Sequence, residues 1–517
     1  ASGDKEGPRV VFAESFQTIF LADMSGDGLS DLVRIRNGDI CYWPNLGFGR
    51  FGARVQMAAA PVFAPGDAFD PARLRLADVD GSGTTDLVYL GGDVTTLYRN
   101  QCGNAWSAPI ALHATPPASD FDAVDVMDLL GNGTACIVWS GIAPAGARKP
   151  LAYLDLCGGS KPHLLTSGVN NLGAETRVHY AASTSFYLAD RAAGRPWITR
   201  LPFPVQVVAT VETLDHVTRT RLVTRFAYHH GFYDTHEREF RGFGMVEQSD
   251  SETFDVLAAG DGPALNEALD THVPPVRTLS WFHTGAWTAG DTLRQRFDEE
   301  FYRGPLLPWS SPAVDADAAV PVVRDAHAAL KGALLRQEVF SDDGTPAALH
   351  PYSVTEHAYA VRCVQPAGDG RRAVFTVHRE QTVTCHYERN PDDPRLAQEL
   401  VLAVDAFGNA TEKVSIAHGR LREDESLNPA DRHVQRQALA IYERHTFTRA
   451  QDTGAAYRTP VPCETRRYDA SGAFFDQPAR LFGPAEIRAR LAASSALPLL
   501  AHSQTLFRRD DLSGDLP

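Results

Sequence analysis

The sequence predicts an all-β protein: a short series of stacked β-units, then a long strand-rich region, with a few short helices. Three observations predict it. An Asp- and Gly-rich loop running into an apolar strand recurs three times in the first 140 residues. Runs of Val, Thr, Phe and Tyr continue from about residue 165 onward without visible repetition. Gly, Asn and Pro punctuate these runs at positions that suit turns.

The repeat comes first along the chain. LADMSGDGLSDLVRI (21–35) is matched by LADVDGSGTTDLVYL (76–90), and VMDLLGNGTACIVWS (126–140) is a third, eroded copy. The starts lie about 50–55 residues apart, slightly longer than a usual propeller blade. A second signature follows the first two copies: CYWPNLGFGRFG (41–52) and LYRNQCGNAWSAP (97–109). Each reads aromatic, Asn, Gly, aromatic, which predicts a strand, a tight turn and another strand. A unit too small to bury itself must stack on its neighbours, as blades do. Three blades do not close a ring. The missing ones are expected upstream, since the start, ASGDKEGPRV, lacks an initiator Met and an apolar leader and reads as a cut edge.

The acidic loops set a chemical question. Asp23, Ser25, Asp27 and Asp31 crowd one loop, and Asp78, Asp80, Ser82 and Asp86 crowd its copy. A cation, backbone N–H groups or bulk water must neutralise them. Calcium accepts six to eight hard oxygens. Positions 1, 3, 5 and 9 supply side chains, and the carbonyl at position 7, Leu29 or Thr84, is a further candidate ligand. The EF-hand position 12 holds Arg34 or Tyr89, so these are not EF-hands. The nearer match is the calcium loop of FG-GAP blades, where the ion would be structural. The competing reading is a turn whose side chains bond nearby backbone N–H groups. The third copy has lost most ligands (Leu130, Asn132, Cys136), so the turn can persist without metal.

A Pro/Gly/Ala-rich connector, GIAPAGARKP (141–150), ends the repeats. Strands are predicted at VQVVATVETLD, RLVTRFAYHH, LLRQEVFS, AVFTVHREQTVTCHYER and LVLAVDAFGNATEKVSIAHG, and a hairpin over 228–248. The segments 255–268 and 481–495 read as helices, and 311–321 as a surface loop. YDASG (468–472) and VDAFGN (404–409) read as turns between strands.

Composition narrows the function. A net charge of −15 over 517 residues argues against nucleic-acid or anionic-membrane binding, which needs a basic face. No apolar run is long enough to span a membrane as a helix. Seven scattered cysteines with no CxxC suit reduced, structural thiols. Catalytic signals are weak. Arg177, Ser183-Thr184-Ser185 and Glu423-x-Glu425 have the residue types of an ADP-ribosyltransferase site, but the last element lies some 240 residues from the others. His229, His230 and His236 cluster beside Glu237 and Glu239, yet no Cys set or HExxH accompanies them.

Longer strings resemble one family. ADMSGDGLSDLVRIRNGDICYWPNLGFGRFG and RLRLADVDGSGTTDLVYL resemble the FG-GAP-type propeller region of the B component of bacterial insecticidal toxin complexes, the TcdB/TcaC family, to which SpvB is related. RPWITRLPFPVQVVATVETLD, YDTHEREFRGFG, LKGALLRQEVFSDDGT, HPYSVTEHAY and ERNPDDPRLAQELVLAVDAFGN resemble its middle segments, in the same order. The resemblance implies part of a β-propeller over 1–160 and a Rhs-like β-shell over 161–517, subdivided near 311–321. It implies a non-enzymatic scaffold in a secreted complex, folded in the bacterial cytoplasm. Its partners would be a Rhs-type C component, whose toxic segment the shell encloses, and a pore-forming A component, on which the propeller docks and gates. Structural Ca2+ is the one cofactor expected. An integrin-like, calcium-binding adhesion module is the alternative.

Overall fold

The computed structural model describes residues 18–92, 94–113, 123–140, 151–250, 273–287, 290–308, 319–368, 370–454, 456–474, 481–494, 497–508 and 514. Strands dominate. Two compact units are present. The first takes the described residues up to 168 with 179–185 and 203–208; the second takes the remainder.

The first unit is built from three small antiparallel sheets, one per repeat. Ile19–Ala22, Asp31–Arg36, Asp39–Trp43 and Val55–Gln56 form the first, in chain order. Leu74–Ala77, Asp86–Leu90, Thr95–Tyr98 and Ile110–Leu112 form the second. Ala123–Met127, Cys136–Ser140 and Leu151–Asp155 form the third. The apolar strand DLVYL at 86–90 shows why they stack. Its side chains alternate between faces. Leu87 and Tyr89 join Val33, Ile35, Ile40 and Tyr42 of the first sheet in one core. Val88 and Leu90 join Val124, Ile137 and Trp139 of the third sheet in another. The middle sheet is therefore apolar on both faces, and all five residues of its strand are buried.

A single sheet of fourteen strands runs from Ser167–Val169 to Leu499–Gln504. Nearly every strand pairs with the next in sequence; the hairpin Gln451–Thr453/Ala456–Arg458 stands apart as a two-stranded sheet. Most of the predicted strands are present. The hairpin expected over 228–248 joins Thr220–Asp234 to Glu239–Asp250. VDAFGN is a tight turn in which Asp405 Oδ1 accepts the N–H of Phe407 (2.8 Å) and Asn409 (2.9 Å). YDASG is not a turn between strands. Asp469 Oδ1 accepts the Ser471 N–H (2.9 Å), while Ser471 Oγ accepts that of Ala440 (3.0 Å). These bonds turn the chain beneath the strand Leu439–Phe447, and the next strand follows only after a helix.

That helix, Pro484–Ala493, lies where one was expected, with Pro in its first turn. Its Ile487, with Phe474 and Phe482, packs on Leu400, Leu402, Val414 and Ile416 of the sheet. Phe297 and Leu293 of helix Gly290–Glu300 pack on Trp281 and Leu335. The segment 255–268 lies outside the described residues, as does 311–318. Val320 and Pro321, expected in a loop, instead open the helix Val320–Ala328, because Pro suits a first helical turn.

Among the described residues of the second unit, His230, His283, His357 and His418 are buried. Burial pushes His283, His357 and His418 down to about 4. Unfolded, each binds a proton near its ordinary value; folded, each stays neutral until about pH 4. Stability is therefore complete above about pH 6.5 and falls as pH drops through that window, by up to about 3 kcal/mol per group. The unfolding midpoint of the second unit should fall between pH 6.5 and 4, and His418→Gln should shallow that fall. A midpoint flat over the window would contradict the assignment.

Candidate cation loops and neighbouring polar clusters

Each acidic loop curls around its first Asp. Asp23 Oδ1 accepts the N–H of Gly26 and Oδ2 that of Gly28, both at 2.7 Å. Asp27 Oδ1 accepts the Leu29 N–H (2.9 Å). Asp31, fully buried, accepts the N–H of Met24 (3.0 Å) and Asn45 (2.8 Å). The second loop repeats the design. Asp78 accepts from Ser82 (3.1 Å) and Gly83 (2.9 Å), and Asp80 from Ser82 (3.1 Å). Asp86 accepts from Val79 (3.0 Å) and Asn100 (2.7 Å), and Ser82 Oγ meets Thr84 Oγ1 at 2.9 Å. In the eroded third loop Asp128 still accepts from Asn132 (3.0 Å) and Gly133 (2.8 Å). Backbone N–H groups thus meet all seven carboxylates, and the loop conformation survives with a single Asp.

The two fuller loops differ as cation sites. Asp78, Asp80 and Asp86 bring one carboxylate oxygen apiece within 4.8 Å of one another; among the described residues no other group of three His, Cys, Asp or Glu does so. Asp23, Asp27 and Asp31 do not gather in this way. Burial raises the Asp31 carboxyl despite its two N–H partners, and pushes Asp86 up to about 7. Holding Asp86 ionised in place is costly, and a divalent cation would offset that cost. Three carboxylates beside two hydroxyls form a hard-oxygen set that fits calcium.

The loops are also joints between successive sheets. Asp23 O accepts the Thr85 N–H (2.8 Å). Asn100 Nδ2 donates to Met24 O (2.9 Å) and Thr85 O (3.1 Å), while its Oδ1 accepts the Gly103 N–H (2.8 Å). Gly103 has a φ of +76°, and a Cβ there would lie 2.5 Å from Tyr42 Oη. On the second loop, Val79 O accepts the Cys157 thiol (3.2 Å). On the third, the Gly131, Asn132 and Gly133 carbonyls accept Thr184 Oγ1, Gln206 Nε2 and Lys161 Nζ respectively. Sequence reasoning missed this role. The shared Asn of the second signature, Asn45 and Asn100, carried the signal: both meet the last Asp of their loop.

The histidine cluster is split. His229 Nδ1 meets Asp190 Oδ2 at 2.6 Å, where Trp197 Nε1 also donates (2.7 Å). His230 Nε2 meets Glu300 Oε1 at 3.0 Å, and Trp281 Nε1 donates to Oε2 (3.1 Å). His236 sits in the hairpin turn with Glu237. Neighbours on a strand normally face opposite ways. A bulge at Gly231, with His230 at φ +55°, lets both imidazoles line one cavity of about 470 Å³. Its described lining is Asp190, Arg195, Arg277, Arg296, Glu247, Glu299 and Glu300 with apolar neighbours and the two imidazoles, and includes no Ser, Thr, Cys or Tyr. The Ser183–Ser185 element is a helix start rather than a strand. Arg177 pairs with Glu175, and Glu423 with Arg436.

Comparisons with known proteins agree with this architecture. A family model for the insecticide toxin TcdB middle/N-terminal region matches residues 99–256, and one for its middle/C-terminal region matches 325–459, together more than half of the chain. A crystal structure of TcdB2-TccC3 is similar at 26% identity, with a TM-score of 0.81, over 96% of this chain and 24% of that one. The crystal structure of TcdB2-TccC3-Cdc42 matches at 25% identity and TM-score 0.80, with the same coverage. A Photorhabdus luminescens Tc holotoxin pore structure, bearing a mutation in TccC3, matches at 27% and 0.81, over 96% and 23%. The chain spans about a quarter of the length of these solved chains. No curated protein sequence matches it.

Two outcomes are expected. Asn100→Ala removes three side-chain hydrogen bonds, one of them to Met24 O across the first joint, and should lower the stability of the first unit by about 2–3 kcal/mol in urea unfolding. Excess calcium should raise the melting midpoint of that unit over a chelated sample, and Asp80→Ala should abolish the rise by mass action. Equal midpoints with calcium and chelator would remove the metal reading and leave the joint intact.

Proposed function

We propose that this chain, which belongs to the TcdB family of insecticide toxin proteins, is a wall-and-lid segment of a secreted toxin complex and carries no catalytic site of its own. The observation that carries this reading is the likeness to TcdB2 in complex with TccC3 over nearly the whole chain. The fourteen-stranded sheet would be part of a shell that, with a Rhs-type C component, encloses a toxic polypeptide. The stacked units, over about residues 1–160, would be blades of a propeller that docks on a pore-forming A component and gates release. Calcium at Asp78, Asp80 and Asp86 would stiffen the blade joint at the second loop.

The chain's own physics supports a wall. Successive hairpins add strands at one edge, so the sheet extends without a long crossover. The edge strand LLAHSQ (499–504) is exposed along its length and carries no Lys, Arg, Asp or Glu. An edge without such protection needs a partner strand. The described cysteines are free, so no disulfide resists assembly. No described helix is long and apolar enough to cross a membrane.

The test is co-expression of the full-length B component with its Rhs-type C partner. The two should co-elute, and the C partner's carboxy-terminal segment should resist added protease in the complex. Separate elution, or digestion as fast as that of the free C partner, would overturn the proposal.

A further inference from the structure

One charged cluster lies wholly inside the second unit. On strand Leu334–Ser341, Arg336 and Glu338 share a face, and Arg336 pairs in register with Glu356 of strand Ser353–Gln365. Arg336 is fully buried and both carboxylates nearly so. Arg336 Nε meets Glu338 Oε1 at 2.7 Å, and Nη1 meets Glu356 Oε2 at 2.6 Å.

What covers them is the segment Phe301–Leu307, which crosses the sheet after helix Gly290–Glu300. The amides of Tyr302, Leu306 and Leu307 bond to carboxylates rather than to backbone. Glu338 accepts from Tyr302 (2.8 Å), and Glu356 accepts from Leu306 (3.0 Å) and Leu307 (2.9 Å). Arg336 returns two bonds, to Tyr302 O (2.8 Å) and Gly304 O (3.0 Å), and lies over the Phe301 ring at 4.5 Å. Arg303 and Gly304 turn the segment through positive φ, and Tyr302, Leu306 and Leu307 then pack on Val354, Val383 and Tyr387.

Buried charge networks add little net stability compared with apolar residues of similar volume, but they fix geometry. The sheet beneath has its own cross-strand bonds; besides the bonds to the charged cluster, the segment above is held by Tyr302 Oη to His350 (2.8 Å) and Arg303 Nη1 to Pro391 O (2.8 Å), and by the local bonds of Phe301 N–H to Phe297 O and Gly304 N–H to Phe301 O. We propose that Arg336, Glu338 and Glu356 form a latch that sets where the strap Phe301–Leu307 crosses the sheet, and that the strap lifts there while the sheet stays folded.

Residue-resolved hydrogen exchange on the full chain tests this with Arg336→Met and with the triple variant Arg336→Met/Glu338→Leu/Glu356→Met. In the triple variant the melting midpoint should stay within a few degrees of the parent. The Tyr302, Leu306 and Leu307 amides should exchange at least 100-fold faster, while those of Ser353–Gln365 and Val374–His386 keep parental rates. Arg336→Met should show the same local acceleration with a lower midpoint. Sheet amides that accelerate together with the strap, strap amides that stay slow, or a triple variant that does not fold would each overturn the latch.

Discussion

A fully buried guanidinium held between two carboxylates is the constraint on which the second unit turns. Removing Arg336 from water costs several kcal/mol, and only close geometry with Glu338 and Glu356 offsets this. That geometry exists because cross-strand register places Arg336 opposite Glu356, and because the strap brings its N–H and C=O groups to the bonding positions left over. Sheet register, strap position and charge burial therefore imply one another. A one-residue slip would turn Arg336 and Glu338 to the other face and leave Glu356 without its partner.

The first unit solves a similar problem with backbone. Its acidic loops place carboxylates where N–H groups converge, and the carbonyls left outside receive the next sheet. The same few residues so fold a turn and fasten a joint. This explains how the third loop, reduced to Asp128, keeps its shape. A cation at Asp78, Asp80 and Asp86 would be added to a structure that already stands, its strongest warrant being the raised carboxyl of Asp86.

Much of the fold was legible. Continuous apolar runs such as DLVYL, and turn residues such as those of VDAFGN, carry local information that packing does not override. YDASG misled because Ser471 bonds to a strand some 30 residues earlier, a contact no local pattern encodes. The loop expected at 311–321 gave way at its end to a helix, since Pro321 reads equally as a turn or as a first helical residue. At the loops the ligand-type residues were legible, whereas their gathering at Asp78, Asp80 and Asp86 and not at Asp23, Asp27 and Asp31 was not, because it depends on side-chain placement. Arg336 was passed over for a plainer reason. In LLRQEVFS an Arg and a Glu two apart look like a solvated face, and only the strap reveals them as interior.

The most direct test of this account is a double-mutant cycle on Arg336 and Glu356, with Arg336→Met, Glu356→Gln and the pair compared by urea unfolding. Single losses of about 3–5 kcal/mol and a coupling of at least about 2 kcal/mol are expected, because Arg336→Met leaves two buried carboxylates without a counter-charge and Glu356→Gln leaves Arg336 with Glu338 alone. A coupling within about 0.5 kcal/mol of zero would show that the two groups act independently and would contradict this account.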